Sequence, residues 1–280
     1  MNPSPFPSFL IEKIARAALE EDIGWRDLTS SILEDVEAIG VISAKEEGVL
    51  CGIQVAREVF KILQEDCQFK PLLKDGDSLA KGSLIAEIRG KARTLLGGER
   101  VALNFLQHLS GIATLTRKFV EKIKGTKAKI LATRKTIPLL KAFEKYAVEV
   151  GGGYSHRFAL YDGILIKNNH IAIIGNIKEA IKRANEMFPY QKIEIEVRNL
   201  EEVKEAIDAG ADIILLDNMS IEEIREAVKI AQGKVMLEAS GGVSLDNVRE
   251  IAETGVDFIS IGALTHSAKA IDIHMEVKRL

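Results

Sequence analysis

A chain of 280 residues is long enough for one large α/β barrel, or for a barrel of ordinary size with a smaller domain attached. With 46% hydrophobic and 28% charged residues, the composition is that of an ordinary globular protein, which excludes a disordered chain. The formal net charge of −3 argues against general nucleic-acid binding and against attraction to acidic membranes.

The apolar stretches of the sequence are short. The stretch at 213–216 has the length of a strand, whereas a membrane helix requires about 20 apolar residues. The first ten residues contain three prolines and lack the basic and apolar regions of a secretory signal. The two cysteines, Cys51 and Cys67, cannot form a disulfide framework, and their spacing fits neither a zinc site nor a redox pair. We therefore expect a cytoplasmic protein with buried structural thiols.

The first third of the chain mixes helical and strand patterns. The predicted elements are a helix at 9–19, strands at 38–44 and 49–53, a helix at 54–64, short strands up to residue 88 separated by turns at 74–77 and 81–82, and a long helix at 98–124. The pattern then changes to a regular alternation of strands and helices. We therefore place a domain boundary near residue 112.

Beyond residue 127 six predicted strands alternate with five predicted helices. The predicted strands lie near 129–133, 162–167, 192–197, 212–217, 234–239 and 257–262, with helices near 138–149, 176–187, 200–209, 221–231 and 245–254. Connections of roughly 20 to 35 residues imply parallel strands with right-handed crossovers. Glycine-rich dinucleotide-binding folds place their glycines directly after a strand, but the glycines at 151–153 follow a helix. A barrel is therefore favoured over a doubly wound sheet.

Local signals support the helix ends. Ser220 and Glu223 have the spacing of a capping box, in which each side chain bonds to the backbone N–H of the other residue. Gly210, Gly233 and Gly255 follow predicted helices at the position where glycine commonly ends a helix.

Polar residues cluster where the predicted strands end. They are Arg134 and Lys135 after 130–133, Lys167 after 164–166, Glu196 in 193–197, Asp217 after 213–216, Ser240, Gly241 and Gly242 after 235–237, and Gly262 and Ala263 after 258–261. A charge in a strand that is buried on both faces is costly unless it is paired or functional. For any single position an ion pair or a turn glycine is an adequate explanation. Because all of them fall at carboxyl ends, where barrel enzymes hold their active sites, we predict a site at that rim.

The two glycine turns follow the last two strands. Such turns offer backbone N–H groups to phosphate. Glu196 and Asp217 can hold ribose hydroxyls or Mg²⁺ and can stabilise positive charge on a sugar ring. The alternative for the two carboxylates is a structural ion pair with Lys167 or Arg134.

The loop at 151–157 begins with three glycines and ends with His156 and Arg157. Glycines let a backbone approach a ligand closely, and an arginine can bind a carboxylate through two hydrogen bonds. The sequence therefore predicts an anion-binding loop, with an ordinary surface loop as the alternative.

Taken as a set, these motifs are similar to those of quinolinate phosphoribosyltransferase, also called nicotinate-nucleotide pyrophosphorylase. The strings that carry the resemblance are Thr133-Arg134-Lys135-Thr136, Glu144-Lys145-Tyr146-Ala147, Gly151-Gly152-Gly153 with His156-Arg157, Leu160-Tyr161-Asp162, Ile166-Lys167 with Asn169-His170, Glu194-Ile195-Glu196-Val197, Leu215-Leu216-Asp217-Asn218-Met219, Glu238-Ala239-Ser240-Gly241-Gly242 and Gly262-Ala263-Leu264-Thr265-His266. Further upstream, Glu99-Arg100 and Leu109-Ser110-Gly111-Ile112-Ala113-Thr114 extend the match, so it covers most of the chain.

The resemblance implies an incomplete parallel α/β barrel with a smaller N-terminal α+β sandwich domain. We expect the N-terminal domain at 1–112, joined by the tail at 268–280, and the catalytic barrel at 113–267. The implied assembly is a homodimer with shared active sites, or a higher oligomer. The implied reaction joins quinolinate to phosphoribosyl pyrophosphate with loss of CO₂, which gives nicotinate mononucleotide for NAD biosynthesis.

By resemblance, the site residues fall into two groups. Quinolinate would be held by Arg134, His156, Arg157 and Lys167, and by Arg100 reaching in from the neighbouring subunit. Phosphoribosyl pyrophosphate with Mg²⁺ would be held by Lys135, Glu196, Asp217, Ser240, Gly241, Gly242, Gly262, Ala263 and His266. The implied catalytic residues are Lys135, Lys167, Glu196 and Asp217.

The sequence departs from the usual family pattern at Ala132, Leu139, Ser155, Asn168 and Arg198, where the family commonly has Asp, Gly, Asn, an acid and an acid. These departures leave room for a related phosphoribosyltransferase of the molybdenum-associated type. Tyr161-Asp162 and the run at 167–170 are more similar to the quinolinate enzyme.

Two further functions fit parts of the pattern. Lys167 at a barrel strand end beside phosphate-binding turns would also suit an aldolase that forms a Schiff base. A protein that binds phosphoribosyl pyrophosphate without consuming it would need the same turns.

Overall fold

The computed structural model describes residues 6–280; the first five residues, where the predicted N-terminal domain begins, lie outside that range. The chain packs into two compact units. One unit contains the residues up to Leu115 together with 138–151 and 268–280, and the other contains 116–137 and 152–267. Within the described range, no helix is both long enough and apolar enough to cross a membrane.

The strands, numbered in chain order, are β1 (Glu37–Ala44), β2 (Gly48–Val49), β3 (Gln68–Pro71), β4 (Ser78–Leu79), β5 (Leu84–Lys91), β6 (Lys129–Ala132), β7 (Tyr154–Ser155), β8 (Ile164–Ile166), β9 (Ile193–Val197), β10 (Ile213–Asp217), β11 (Met236–Ser240), β12 (Phe258–Ser260) and β13 (Ile273–Arg279). All six predicted barrel strands are present. The short strand β7 and the strand β13 were not predicted.

The α-helices are α1 (Ser8–Ile23), α2 (Ile53–Leu63), α3 (Ala92–Lys122), α4 (Lys141–Val150), α5 (Asn168–Ile174), α6 (Ile177–Met187), α7 (Leu200–Asp208), α8 (Ile221–Ala231), α9 (Val248–Glu253) and α10 (Ala263–His266), with a short 3₁₀ turn at Ser30–Ile32. Every predicted helix is confirmed, and α3 begins six residues earlier than expected. The helices α5 and α10 were not predicted.

The predicted strand at 49–53 is wrong beyond Val49. Gly52 has a φ of 108°, and helix α2 begins at the next residue. The backbone N–H groups of Gly52 and Ile53 both donate to Asp75 Oδ1, at 3.0 and 3.1 Å. A carboxylate that accepts from the first N–H groups of a helix stabilises its start, so this position is a helix end rather than a strand.

The first unit is built on a four-stranded antiparallel sheet with the order β13, β1, β5, β3. Alternate residues of β1 are buried, as expected for a sheet with one face on the core. Helices α1 and α2 pack against each other in this unit. At Gly111, in α3, a side chain would collide with the carbonyl oxygen of Lys269, so glycine is required for this close approach.

The second unit contains seven strands in the order β7, β6, β12, β11, β10, β9, β8, and every neighbouring pair is parallel. All five residues of β9 are buried, which fits a sheet covered on both faces. The edge strands β7 and β8 do not pair with each other in the described chain. The predicted incomplete α/β barrel with a smaller N-terminal domain is therefore confirmed.

The predicted helix ends are also confirmed. The Ser220 hydroxyl accepts from the backbone N–H of Glu223 at 3.2 Å, and the Glu223 carboxylate accepts from the N–H of Ser220 at 2.8 Å. Gly210, Gly233 and Gly255 have φ values of 85°, 73° and 94° just after their helices. These left-handed conformations favour glycine.

Candidate active site

A cavity of about 610 Å³ opens at the carboxyl ends of the parallel strands in the second unit. Thirteen of the predicted site residues line it, namely Arg134, Lys135, His156, Arg157, Lys167, Glu196, Asp217, Ser240, Gly241, Gly242, Gly262, Ala263 and His266. The remaining one, Arg100, lies exposed on α3 in the first unit. Its role in a neighbouring subunit stays a prediction.

Lys135 follows β6, and two threonines hold its backbone in place. Its N–H donates to Thr133 Oγ1 at 3.1 Å, and its carbonyl oxygen accepts from Thr265 Oγ1 at 2.6 Å. The Thr265 bond ties the loop after β6 to the short helix α10. These contacts fix where the ammonium group of Lys135 can reach in the cavity.

Gly262 lies between two of the predicted phosphate-binding side chains. A Cβ at this position would lie 2.9 Å from Cδ of Lys135 and 3.1 Å from Nε2 of His266. Both distances are too short for ordinary contacts, so any side chain here would displace Lys135. Glycine at 262 therefore makes room for a cation in the site.

The loop before β8 sets the position of Arg157. The Arg157 guanidinium donates to the carbonyl oxygen of Gly163 at 3.2 Å. A Cβ at Gly163 would lie 2.9 Å from Cβ of Arg157. Glycine therefore lets the arginine side chain pack directly against the backbone just before β8. The carboxylate of Asp162 accepts from the backbone N–H groups of Phe158 and Ala159, both at 2.7 Å, which stabilises the turn.

The electrostatics of this end of the cavity favour an anion. Burial lowers the pKa of Arg157, and the nearby positive charge of Arg134 lowers it further. The two guanidinium groups repel each other, and an anion bound between them would lower the energy of both. A ligand with carboxylates would provide that compensation.

Glu196 makes polar contacts with two neighbours while lining the cavity. Lys167 Nζ lies 3.4 Å from one carboxylate oxygen, and Asn168 Nδ2 donates to the other at 2.5 Å. The ion pair that was the structural alternative for Glu196 is therefore present inside the cavity. The amide of Asn168 orients this carboxylate.

The turn after β11 presents backbone rather than side chains. Gly241 and Gly242 have φ values of 94° and 59°. A Cβ on Gly241 would overlap the side chain of Asn218, whose Nδ2 donates to Asp217 Oδ1 at 3.0 Å. Glycine is thus needed both for the backbone conformation and for the space. In a glycine turn of this kind the backbone N–H groups can point toward phosphate oxygens.

Sequence analysis missed two buried acids, Glu194 and Glu238, as site residues. Glu194 lies two residues before Glu196 in β9, and Glu238 lies two residues before Ser240 in β11, so each shares a face of its strand with a predicted site residue. Glu238 follows an apolar run, and a carboxylate in the middle of a buried strand is unusual enough to have been a signal.

The two acids surround the imidazole of His156. Nε2 of His156 lies 2.7 Å from Glu194 and 3.6 Å from Glu238. Burial raises the pKa of Glu238 to about 7, the negative charge of Glu194 adds to this, and His156 opposes it. The protonated form of Glu238 is therefore favoured more strongly than in an exposed glutamate.

Comparisons with known proteins agree with this arrangement. The family described as "Quinolinate phosphoribosyl transferase, C-terminal domain" matches residues 112–276, and "Quinolinate phosphoribosyl transferase, N-terminal domain" matches residues 27–110. A probable nicotinate-nucleotide pyrophosphorylase (carboxylating) from Bacillus subtilis is 47% identical over 269 residues, which cover 95% of this chain and 93% of the relative. One with the same description from Methanocaldococcus jannaschii is 48% identical over 279 residues, which cover 95% and 97%.

A solved structure gives the same picture. The nicotinate-nucleotide pyrophosphorylase from Francisella tularensis superposes with a TM-score of 0.95 at 43% identity, with 98% of each chain covered. The two family matches together span most of the sequence. The chain therefore belongs to the quinolinate phosphoribosyl transferase family.

Proposed function

We propose that this chain transfers the phosphoribosyl group of phosphoribosyl pyrophosphate to quinolinate, releasing pyrophosphate and CO₂ and giving nicotinate mononucleotide for NAD biosynthesis. Its family and the activity for which its relatives are named support this reaction. The structural observation that carries it is a single cavity in which Arg134, Lys135, Arg157 and Lys167 meet two glycine turns. Both substrates are strongly anionic, and bringing them together requires such a density of positive charge.

The two ends of the cavity bind different substrates in this proposal. Arg134, His156, Arg157 and Lys167 receive the carboxylates of quinolinate. Lys135, His266 and the turns at 240–242 and 262–263 receive the phosphates of the donor. Placement of the two substrates supplies much of the rate enhancement, because no covalent intermediate with the protein is required.

The chemistry proceeds in two bond-breaking steps. As pyrophosphate leaves C1 of the ribose with the bonding electron pair, the sugar ring gains positive charge, which the carboxylates of Glu196 and Asp217 stabilise. The pyridine nitrogen then forms the bond to C1 and becomes quaternary. The C2 carboxylate leaves as CO₂, its electron pair stays on C2 next to the positive nitrogen, and C2 takes up a proton. Lys135 and Lys167 stabilise the departing and remaining negative charges.

Magnesium is part of this proposal. The oxygen ligands that Mg²⁺ prefers are present in the cavity, and the Asp217 carboxylate fits best because Glu196 is already in contact with Lys167 and Asn168. Bound magnesium would neutralise negative charge on the pyrophosphate.

The assembly and location are further parts of the proposal. Arg100 is exposed on α3, where a neighbouring subunit could receive it, so we propose a homodimer with shared sites or a higher oligomer. The composition supports a cytoplasmic enzyme that binds small molecules rather than nucleic acid or membranes.

One experiment separates this function from its rivals. Purified protein is incubated with quinolinate, phosphoribosyl pyrophosphate and Mg²⁺, and CO₂ and pyrophosphate are measured together. The proposal expects equal amounts of both. Pyrophosphate without CO₂ would indicate a related phosphoribosyltransferase, binding without turnover would indicate a binding protein, and borohydride trapping of a carbonyl compound on Lys167 would indicate an aldolase.

A further inference from the structure

The buried acids Glu194 and Glu238 have no part in the reaction as proposed, yet they lie directly beneath the quinolinate end of the cavity. Their exposed fractions are 4% and 1%. One oxygen of each, Oε1, accepts no hydrogen bond within residues 6–280. Burying two carboxylates this completely costs several kcal/mol in stability unless nearby groups compensate. Such a cost points to a functional reason for keeping them.

The contacts of His156 connect these acids to the cavity. The backbone N–H of Arg157 donates to Nδ1 of His156 at 2.6 Å. Because Nδ1 accepts, the proton of the neutral ring is on Nε2, which donates to Glu194 at 2.7 Å. Glu194, the imidazole and the backbone of Arg157 thus form one chain of hydrogen bonds, and the Glu238 carboxylate lies 3.6 Å from the same Nε2.

Glu194 also acts on the side chain of Arg157. Its negative charge raises the pKa of Arg157, against burial and against the repulsion from Arg134. A negative charge beneath the site therefore stabilises the positive charge of this guanidinium when no substrate is bound.

A second cavity, of about 460 Å³, opens toward the amino ends of the same strands. His156, Arg157 and Glu238 line both cavities. These three residues consequently form part of the wall between the cavities. The orientation of His156 and Arg157 in this wall therefore determines how far each side chain reaches into the substrate cavity.

The same three side chains, His156, Glu194 and Glu238, could be read as a metal site because their ligand atoms lie within 4.8 Å of one another. The 2.7 Å separation between His156 and Glu194 argues against this reading. Two ligands bound to one metal at about 2.0–2.1 Å are separated by about 3 Å or more in a tetrahedral site. The short distance is that of a hydrogen bond.

We propose that Glu194 and Glu238 are positioning residues for the acceptor substrate, which hold the imidazole of His156 and thereby orient Arg157 toward quinolinate. This inference rests on the proposed function, because it assigns the acids to the quinolinate end of that site. The donor end has its own supports, the threonine contacts of Lys135 and the turns at 240–242. The acids therefore affect binding of quinolinate and leave binding of phosphoribosyl pyrophosphate unchanged.

Paired substitutions test this selectivity. Glu194→Leu and Glu238→Leu remove the carboxylates that face His156, whereas Glu194→Gln and Glu238→Gln keep a polar side chain of the same shape with an oxygen that can accept. We expect each Leu variant to raise the KM for quinolinate at least about 10-fold, with the KM for phosphoribosyl pyrophosphate within about 2-fold of the original value. The Gln variants should recover most of the loss. Unchanged quinolinate kinetics in both Leu variants, or an equal rise in both KM values, would overturn the proposal.

A measurement without substrate keeps the positioning role separate from the activity. The chain has five histidines, so ring ¹⁵N signals are few, and those of His156 can be assigned with a His156→Gln variant. Because the backbone N–H of Arg157 still donates to Nδ1, the neutral ring keeps its proton on Nε2 in every variant. We expect the Gln variants to show the His156 signals of the unmodified protein, and the Leu variants to show shifted signals because the contact of Nε2 with a carboxylate is lost. Identical His156 signals in all of them would overturn the positioning role. Absent transferase activity in the unmodified protein would instead overturn the proposed function.

A different variant is needed if a Leu variant does not fold. Circular dichroism identifies such a variant, and the remaining test is then the Glu194→Gln, Glu238→Gln double variant, which keeps both acceptors and removes both charges. The hydrogen-bond chain predicts that it keeps the His156 signals of the unmodified protein. Shifted signals in a folded double variant would count against the proposal.

Discussion

Arg134 and Arg157 contribute to quinolinate binding as a pair of neighbouring positive charges. Replacing either with alanine should cost about 1.5–3 kcal/mol of binding to quinolinate, as expected for a lost charged hydrogen bond. The loss should appear as a higher KM for quinolinate or a lower kcat/KM, changed by roughly 10- to 150-fold. Steady-state kinetics measure the effect. Arg183→Ala, which removes an exposed arginine paired with Glu179, is the control and should change nothing. Near-normal quinolinate kinetics in both variants would reject the assigned roles.

Leu139 has an unfavourable backbone conformation. Its φ is 69°, a left-handed value that costs most residues about 1–2 kcal/mol, and its side chain is 84% exposed. Leu139→Gly should therefore stabilise the protein by about 1 kcal/mol, less the entropy that glycine loses on folding. Urea unfolding measures the gain. Leu139→Ala removes the exposed side chain but keeps the strain, and an equal gain in that variant would refute the explanation.

Glu238 should make stability depend on pH. Its pKa is raised from the ordinary 4.5 to about 7, chiefly by burial, so between these values the folded protein keeps a proton that the unfolded chain releases. Raising the pH through this window then favours unfolding, by up to about 3 kcal/mol.

The Glu238→Gln variant has no such proton, so its stability relative to the unmodified protein should increase as the pH rises from about 4.5 to 7. Urea unfolding at several pH values measures this. Glu186→Gln, at an exposed position on α6, is the control. A difference that does not vary with pH would show that Glu238 is ionised throughout.

Among single residues, the site residues at the ends of strands could be predicted from the sequence, whereas those inside strands could not. Parallel strands end at a common rim, so Lys167, Asp217 and Gly241 could be assigned to it from order alone. The partners of His156 could not, because its contacts with Glu194 and Glu238 join residues far apart in the sequence. Only the unusual placement of two acids in buried strands pointed to them.

At the scale of elements, long periodic segments were predicted well and short ones were missed. β7 has two residues and α5 has seven, too few to show a period. β13 is different, because its Ile273, Met275 and Val277 alternate with polar residues, which is the pattern of a strand with one buried face. Helix α3 begins at Ala92, before the predicted start at residue 98.

The junction between α10 and the loop after β6 yields a further prediction. Gly262→Ala should raise the KM for phosphoribosyl pyrophosphate about 10-fold, because the new methyl group would displace the Lys135 side chain, and should leave stability nearly unchanged because that side chain can move. Gly97→Ala, where the nearest atom is Ile23 Cδ1 at 3.9 Å, is the matched control. Unaltered donor kinetics in the Gly262 variant would show that Lys135 does not bind the donor as proposed.

For the whole molecule, the proposed shared site can be tested by mixing subunits. An Arg100→Ala chain and a Lys167→Ala chain should each be nearly inactive, and a mixture should regain activity, because some assemblies then contain one site with both native residues. Activity is measured after subunit exchange, which differently tagged chains verify. Two copies of the same variant, mixed in the same way, are the control. A mixture that exchanges subunits and stays inactive would place Arg100 outside the neighbouring site.

The pairing of β13 with β1 joins residues 38–44 to residues 273–279. A ribosome makes every strand of the barrel before it makes β13, so β1 is without one of its two neighbours during most of translation. Exposed strand edges of this kind attract other chains. Newly made copies of this protein consequently pass through a stage prone to aggregation, which ends only when β13 emerges from the exit tunnel.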